Sequence, residues 1–171
     1  MTSITLIRHG EVEVRYKDAY NGWIDIDLSP KGRLDMQTLG LSLEECDLLY
    51  CSDLKRCQNS LSHFKAKQTI ISKKLREKSW GLNEGKTFDE IGIEYESFMQ
   101  YIYALGGESL NSFEARVKEI WSEIKSSKEK NITVITHGGV IRMIYCLERG
   151  LNYEESFSID VGFGSLHHFS F

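Results

Sequence analysis

The chain has 171 residues, the length of one domain, with 41% hydrophobic residues to build a core. Its formal net charge of −4 at pH 7 gives no support for nucleic acid or anionic membrane as a bulk partner, so any anion site must be a local cluster of cations. The longest apolar runs are too short to span a bilayer, and no signal-peptide pattern precedes the first strand. Cys46, Cys51, Cys57 and Cys146 form no CxxC pair and predict reduced thiols in a cytoplasmic protein.

In chain order, residues 2–7 are apolar and β-branched and predict a buried strand that ends at Arg8-His9-Gly10. Residues 11–28 hold no sustained period and predict a loop, with a turn at Asn21-Gly22. Ser29-Pro30 pairs a capping hydroxyl with a proline at the first helical position, opening a helix to about residue 45. Residues 48–51 predict a second strand, 52–65 a helix carrying Leu54, Leu61 and Phe64, and 68–72 a third strand. Residues 74–86 are irregular. Residues 88–105 predict one or two aromatic-rich helices, broken by Gly106-Gly107. Asn111 is expected to cap the next helix, with Glu114 returning the bond. Its apolar face is Phe113, Val117, Ile120, Trp121 and Ile124. Residues 131–136 are the cleanest buried strand, leading through His137-Gly138-Gly139 into a helix to Leu147. Residues 157–171 predict two strands around Gly162 and Gly164. This alternation predicts an α/β fold, a three-layer α/β/α sandwich around a mainly parallel sheet, as a single domain over residues 1–171.

Ligands of open parallel sheets bind beyond the carboxyl ends of the strands. There the first strand delivers Arg8 and His9, the second opens the helix bearing Arg56, and the fourth delivers His137 and two glycines. Arginine forks match phosphate oxygens and stay charged at neutral pH. Fixed cations stabilise the charge dispersed in phosphoryl transfer, and a histidine can attack phosphorus and later leave. Gly138, at a helix start, lets an anion approach backbone N–H groups. Singly, each piece has a plainer reading: a hydrogen-bonded structural histidine, a solvated arginine, an ordinary turn. Their joint arrival at three strand ends points to a phosphate ester. Paired histidines also suit a metal, but no third ligand stands at short spacing from His9 or His137.

Four motifs in order resemble the histidine phosphatase superfamily, also called phosphoglycerate mutase-like. Leu6-Ile7-Arg8-His9-Gly10-Glu11 is similar to LxRHGE, and Ser52-Asp53-Leu54-Lys55-Arg56-Cys57 to SPLxRA. Leu75-Arg76-Glu77-Lys78-Ser79-Trp80-Gly81 with Glu84-Gly85 resembles LxExxxGxxEG, and Val134-Ile135-Thr136-His137-Gly138-Gly139-Val140-Ile141-Arg142 resembles VSHGGVIR. Tyr20-Asn21-Gly22-Trp23 and Asp27-Leu28-Ser29 extend the likeness. The resemblance implies that His9 attacks phosphorus and carries the phosphoryl group. It implies that Arg8, Arg56 and His137 hold the phosphate, with Asn21, Gly22 and Gly138 beside it. Glu77 would protonate the leaving alcohol and then activate water, with Trp80 helping to desolvate it and Glu84 as the rival acid. No metal or organic cofactor is implied.

Three positions depart from the pattern. Asp53 replaces the usual proline and is expected near the pocket rim. Val12 stands where many members have threonine or serine. Arg15 stands where many have asparagine, so either Asn21 supplies that polar contact or Arg15 meets an acidic substrate. The chain leaves no room for the insertions of full mutases, and a compact site that admits water favours hydrolysis. Glu77 argues against the smallest phosphohistidine-protein phosphatases, which lack this acid. Residues 8–13, Tyr20-Asn21-Gly22 and Gly106-Gly107-Glu108-Ser109 are similar to the α-ribazole phosphatases, which act on α-ribazole 5′-phosphate in cobalamin synthesis. Tyr95, Phe98, Tyr101 and Tyr103 form either an apolar wall for the benzimidazole or helix core. Glu108 either buttresses an active-site arginine or merely precedes a helix. The expected partner is a small-molecule phosphomonoester, with no nucleic acid and no membrane; oligomeric state is open. A mutase, a broad-specificity sugar-phosphate phosphatase and a non-catalytic phosphate-binding module are the alternatives.

Overall fold

Uninterrupted apolar and β-branched runs become the strands, and the capped, periodic segments become the helices. The computed structural model describes residues 1–94 and 96–171. In chain order these fold as β1 (Ser3–Arg8), α1 (Pro30–Ser42), β2 (Cys46–Ser52), α2 (Lys55–Gln58), β3 (Ala66–Ser72), α3 (Phe88–Ile91), α4 (Phe98–Leu105), α5 (Leu110–Lys125), β4 (Asn131–Thr136), α6 (Gly138–Arg149) and β5 (Leu166–Ser170). The strands lie in the order β3-β2-β4-β1-β5. All neighbours pair in parallel except β5, which runs antiparallel along the edge of β1.

Period-two alternation sends successive residues to opposite faces of the sheet. Ile4, Leu6, Leu48, Tyr50, Ile132 and Val134 pack in one core with Phe113, Val117 and Ile120 of α5 and Val140, Ile141 and Ile144 of α6. Ile7, Leu49, Cys51 and Ile135 face the other way, against Met36 of α1 and Cys57 of α2. The result is the expected three-layer α/β/α arrangement. Burying each such aliphatic side chain contributes roughly 1.5–3 kcal/mol. Among the described residues no helix is long and apolar enough to cross a membrane.

Four expectations are corrected. The helix expected over 52–65 is a single turn, Lys55–Gln58. Beyond it Ser60 Oγ donates to the Arg56 carbonyl and accepts from Gly10 N–H, and Asn59 donates to Asp27, so side chains compete with helix continuation. The first helix stops at Ser42, not residue 45. The long helix is capped by Ser109, which accepts from Ser112 N–H; starting there rather than at Asn111 keeps Leu110 packed on the core. Finally, the tail forms one strand. The carbonyls of Ser156, Ile159 and Val161 accept from Arg142 and Arg8 instead of from a neighbouring strand.

The register brings Arg8 opposite Thr136 and Cys51 opposite Ile135, so β1, β2 and β4 end at one edge. The segment after β1 is held down on α1: Ser29 N–H donates to the Glu11 carbonyl and Ser29 Oγ to the Glu11 carboxylate. The approach is close enough to require glycine. A Cβ on Gly32 would lie 2.1 Å from the Glu11 carbonyl oxygen. Alanine in a helix otherwise gains about 1 kcal/mol over glycine. Gly32→Ala is nevertheless expected to destabilise the protein by about 1–3 kcal/mol in chemical denaturation. A stabilised variant would show that this approach does not constrain the fold.

Candidate active site

β1 ends by presenting Arg8, and the chain turns at once through His9 and Gly10. The His9 ring is almost wholly buried. Its Nδ1 lies 2.8 Å from the Gly10 carbonyl. A carbonyl only accepts, so Nδ1 carries the proton and Nε2 keeps its lone pair. Burial, reinforced by the charges of Arg56 and Arg8, holds His9 well below the ordinary imidazole range. Arg8 donates from Nη1 to the Val161 carbonyl at 2.7 Å and lies over the Phe163 ring. Among the described residues its buried Nε has no hydrogen-bond partner. Burial pulls this guanidinium down to about 10, with Glu77 opposing the shift, so Arg8 remains a cation at neutral pH.

Arg56 reaches the same place from α2 and is 2% exposed. Two of its donors are committed to backbone carbonyls of the loop before α1, at Gly22 O (2.6 Å) and Ile24 O (2.9 Å). His137 caps the start of α6 and is fully buried. It stands edge-on to His9 with ring centroids 5.2 Å apart. Its Nε2 meets Ser52 Oγ at 2.8 Å, and the Cys57 thiol packs at 3.4 Å. Burial first, then Arg56, His9 and Arg8, hold His137 well below the usual range as well.

Glu77 enters from the irregular segment after β3. One carboxylate oxygen accepts from Lys78 N–H at 2.8 Å and the other from Gly139 N–H at 2.9 Å. The second bond fixes the acid against the first turn of α6, where negative charge is favoured. A Cβ at Gly139 would lie 2.0 Å from the Glu77 carboxylate and would displace it. Glu84, the rival acid, is engaged elsewhere: one of its oxygens accepts from Trp23 N–H, Ser79 Oγ and Trp80 N–H.

These groups open on a cleft of about 260 Å³. It is lined by Arg8, His9, Arg56, Glu77, Gly138 and Gly139, and by an aromatic wall of Tyr20, Trp80, Phe98, Tyr101, Tyr153 and Phe157. Asn21 lines the cleft, whereas Gly22 contributes only its carbonyl to Arg56 and is not part of the lining. His137 also lies outside the lining, behind His9. Arg15 is exposed over Tyr16 and does not reach the cleft; Lys17, two residues on, does. Asp53 is absent from the rim because it forms a two-pronged pair with Arg76, both contacts 2.7 Å. Tyr101 is both core and wall, Phe98 is wall, Tyr103 is 69% exposed, and Tyr95 lies outside the described residues. Sequence reasoning missed Lys17, Arg142 and Phe163, all lining the cleft. For Arg142 a signal existed: it follows Gly138 by four residues, on the same face of α6.

The family model of the histidine phosphatase superfamily (branch 1) matches residues 4–171. The chain is 31% identical to phosphoserine phosphatase 1 of Hydrogenobacter thermophilus over 92% of its own length and 81% of that protein. Its fold matches a phosphoserine phosphatase of Entamoeba histolytica with a TM-score of 0.84 at 20% identity, covering all of this chain and 91% of the other. It also matches the α-ribazole phosphatase of Shigella flexneri with a TM-score of 0.81 at 24% identity, covering 98% and 89%. The chain belongs to the histidine phosphatase superfamily. It is accordingly a phosphatase, a hydrolase of phosphate monoesters.

Because both buried histidines are held below the ordinary value of 6.5, each is expected to stay neutral at pH 6.5 in ¹⁵N-detected NMR titration of the free protein. The unfolded chain then binds more protons than the folded one below that pH, so stability falls as pH drops from 6.5 toward the folded pKa values. A folded-state midpoint at or above 6.5 for His9 would contradict this.

Proposed function

We propose that this chain, acting as one catalytic domain, hydrolyses a small-molecule phosphate monoester through a covalent phosphohistidine on His9. The bond from His9 Nδ1–H to the Gly10 carbonyl carries this reading, because it leaves Nε2 unprotonated in a cleft lined by Arg8 and Arg56. In the first step the Nε2 lone pair attacks phosphorus and the bond to the alcohol oxygen breaks. That oxygen takes the departing electron pair and a proton from the Glu77 carboxyl. In the second step the Glu77 carboxylate takes a proton from water, whose oxygen attacks phosphorus. The P–N bond breaks, and neutral His9 and phosphate are released. Arg8 and Arg56 hold the phosphoryl oxygens through both steps, and the buried Arg8 Nε–H is a donor suited to an anion. Gly138 and Asn21 line this site, and His137 backs it through its edge-on contact with His9.

The aromatic wall supports a finer reading. Its rings offer apolar and stacking contacts to an aromatic alcohol. We therefore favour α-ribazole 5′-phosphate over phosphoserine. Incubation with a ³²P-labelled monoester is expected to leave acid-labile label on His9, and His9→Ala to lose at least ~10³-fold in turnover. Full activity of that variant would overturn the mechanism, and isomerised 3-phosphoglycerate without free phosphate would favour a mutase. The kcat/KM for α-ribazole 5′-phosphate is expected to exceed that for phosphoserine by about 10²-fold. The reverse order would remove the aromatic-alcohol reading.

A further inference from the structure

The acid in the cleft sits on a stretch of chain that has no secondary structure to hold it. Leu75 closes one 3₁₀ turn, Gly81 opens another, and Glu77 lies between them. Backbone carbonyls in such a stretch need donors from elsewhere. Here one side chain supplies donors to three of them. Arg116, on α5, donates from Nη1 to Lys74 O and Arg76 O, both at 2.8 Å, and from Nη2 to Glu77 O at 3.2 Å. Its fork is held in turn by Glu108, through Nε at 2.9 Å and Nη2 at 2.8 Å. Trp23 Nε1 adds a second donor to Glu77 O at 2.7 Å. Glu108 also accepts from Ser79 N–H, on the far side of the acid. The guanidinium therefore reaches residues 74, 76 and 77, and its carboxylate partner reaches residue 79. Neither Arg116 nor Glu108 lines the cleft.

We propose that Arg116, oriented by Glu108, is a positioning residue that sets where the Glu77 carboxyl stands relative to the ester oxygen. This rests on the proton-transfer role given to Glu77 above. The planar fork matters, because one guanidinium serves three carbonyls and a carboxylate at once. Lysine, a single point charge on a flexible stem, cannot reproduce that set. A displacement of an acid by about 1 Å can cost about 10²-fold in rate.

The test uses the dependence on leaving group. A nitrophenolate departs without a proton, whereas an alkoxide needs one. The readout is the first-turnover release of alcohol from 4-nitrophenyl phosphate and from an alkyl phosphate, in purified wild type, Arg116→Lys, Glu108→Gln and Glu77→Gln. Arg116→Lys is expected to slow alkyl phosphate cleavage by ~10²-fold and nitrophenyl phosphate cleavage by less than about 3-fold, the selective pattern of Glu77→Gln. Glu108→Gln, which leaves the arginine in place, is expected to show the same selectivity with a smaller loss. Equal losses on both substrates in Arg116→Lys and Glu108→Gln would make the pair a scaffold only and overturn the proposal. If Glu77→Gln itself shows no selectivity while His9 still takes up label, the acid has been misassigned and the proposal falls with it. Absence of label on His9 in the wild type would instead refute the phosphohistidine reading.

Discussion

Four buried or half-buried guanidinium groups hold the irregular parts of this molecule by their carbonyl oxygens. Arg8 takes Val161, Arg56 takes Gly22 and Ile24, Arg116 takes Lys74, Arg76 and Glu77, and Arg142 takes Ser156 and Ile159. A guanidinium carries five donors, more than one anion can use at once. The surplus donors fasten loops to the edge of the sheet. Burying cations near one another is costly, and these carbonyl contacts offset part of that cost. The same contacts shape the cleft, since the loops so fastened contribute Asn21, Glu77, Val161 and Phe163 to its lining.

This division explains what could be read from the chain alone. The sheet was legible because its strands are apolar runs whose hydrogen bonds are made with one another. Arg8, His9 and His137 were legible because strands end where those runs end. Glu77 was reached through resemblance rather than from its surroundings, because, apart from the adjacent Lys78 N–H, the donors that hold it come from distant segments: Gly139, Trp23 and Arg116. The same long-range bonds account for the failed expectations. The tail could not be seen to curl toward Arg8 and Arg142 instead of forming a strand, and Asp53 could not be seen to pair with Arg76.

Arg116 did leave a trace in the sequence. It falls three residues after Phe113 and one before Val117, on the edge of the stripe that α5 buries. An arginine so placed must either snorkel to solvent or find acceptors inside. Glu108, eight residues earlier, does buttress an arginine, but that arginine stands outside the cleft.

The depressed basicity of the two histidines carries a consequence for how the site handles anions. Burial keeps His9 neutral, but the charges of Arg56 and Arg8 add to it. An anion resting on those guanidiniums cancels that part and makes His9 and His137 more basic. Proton affinity and anion affinity are then linked, and each rises by the same free energy when the other ligand is bound. Lowering the pH would therefore favour the anion-bound form of the site.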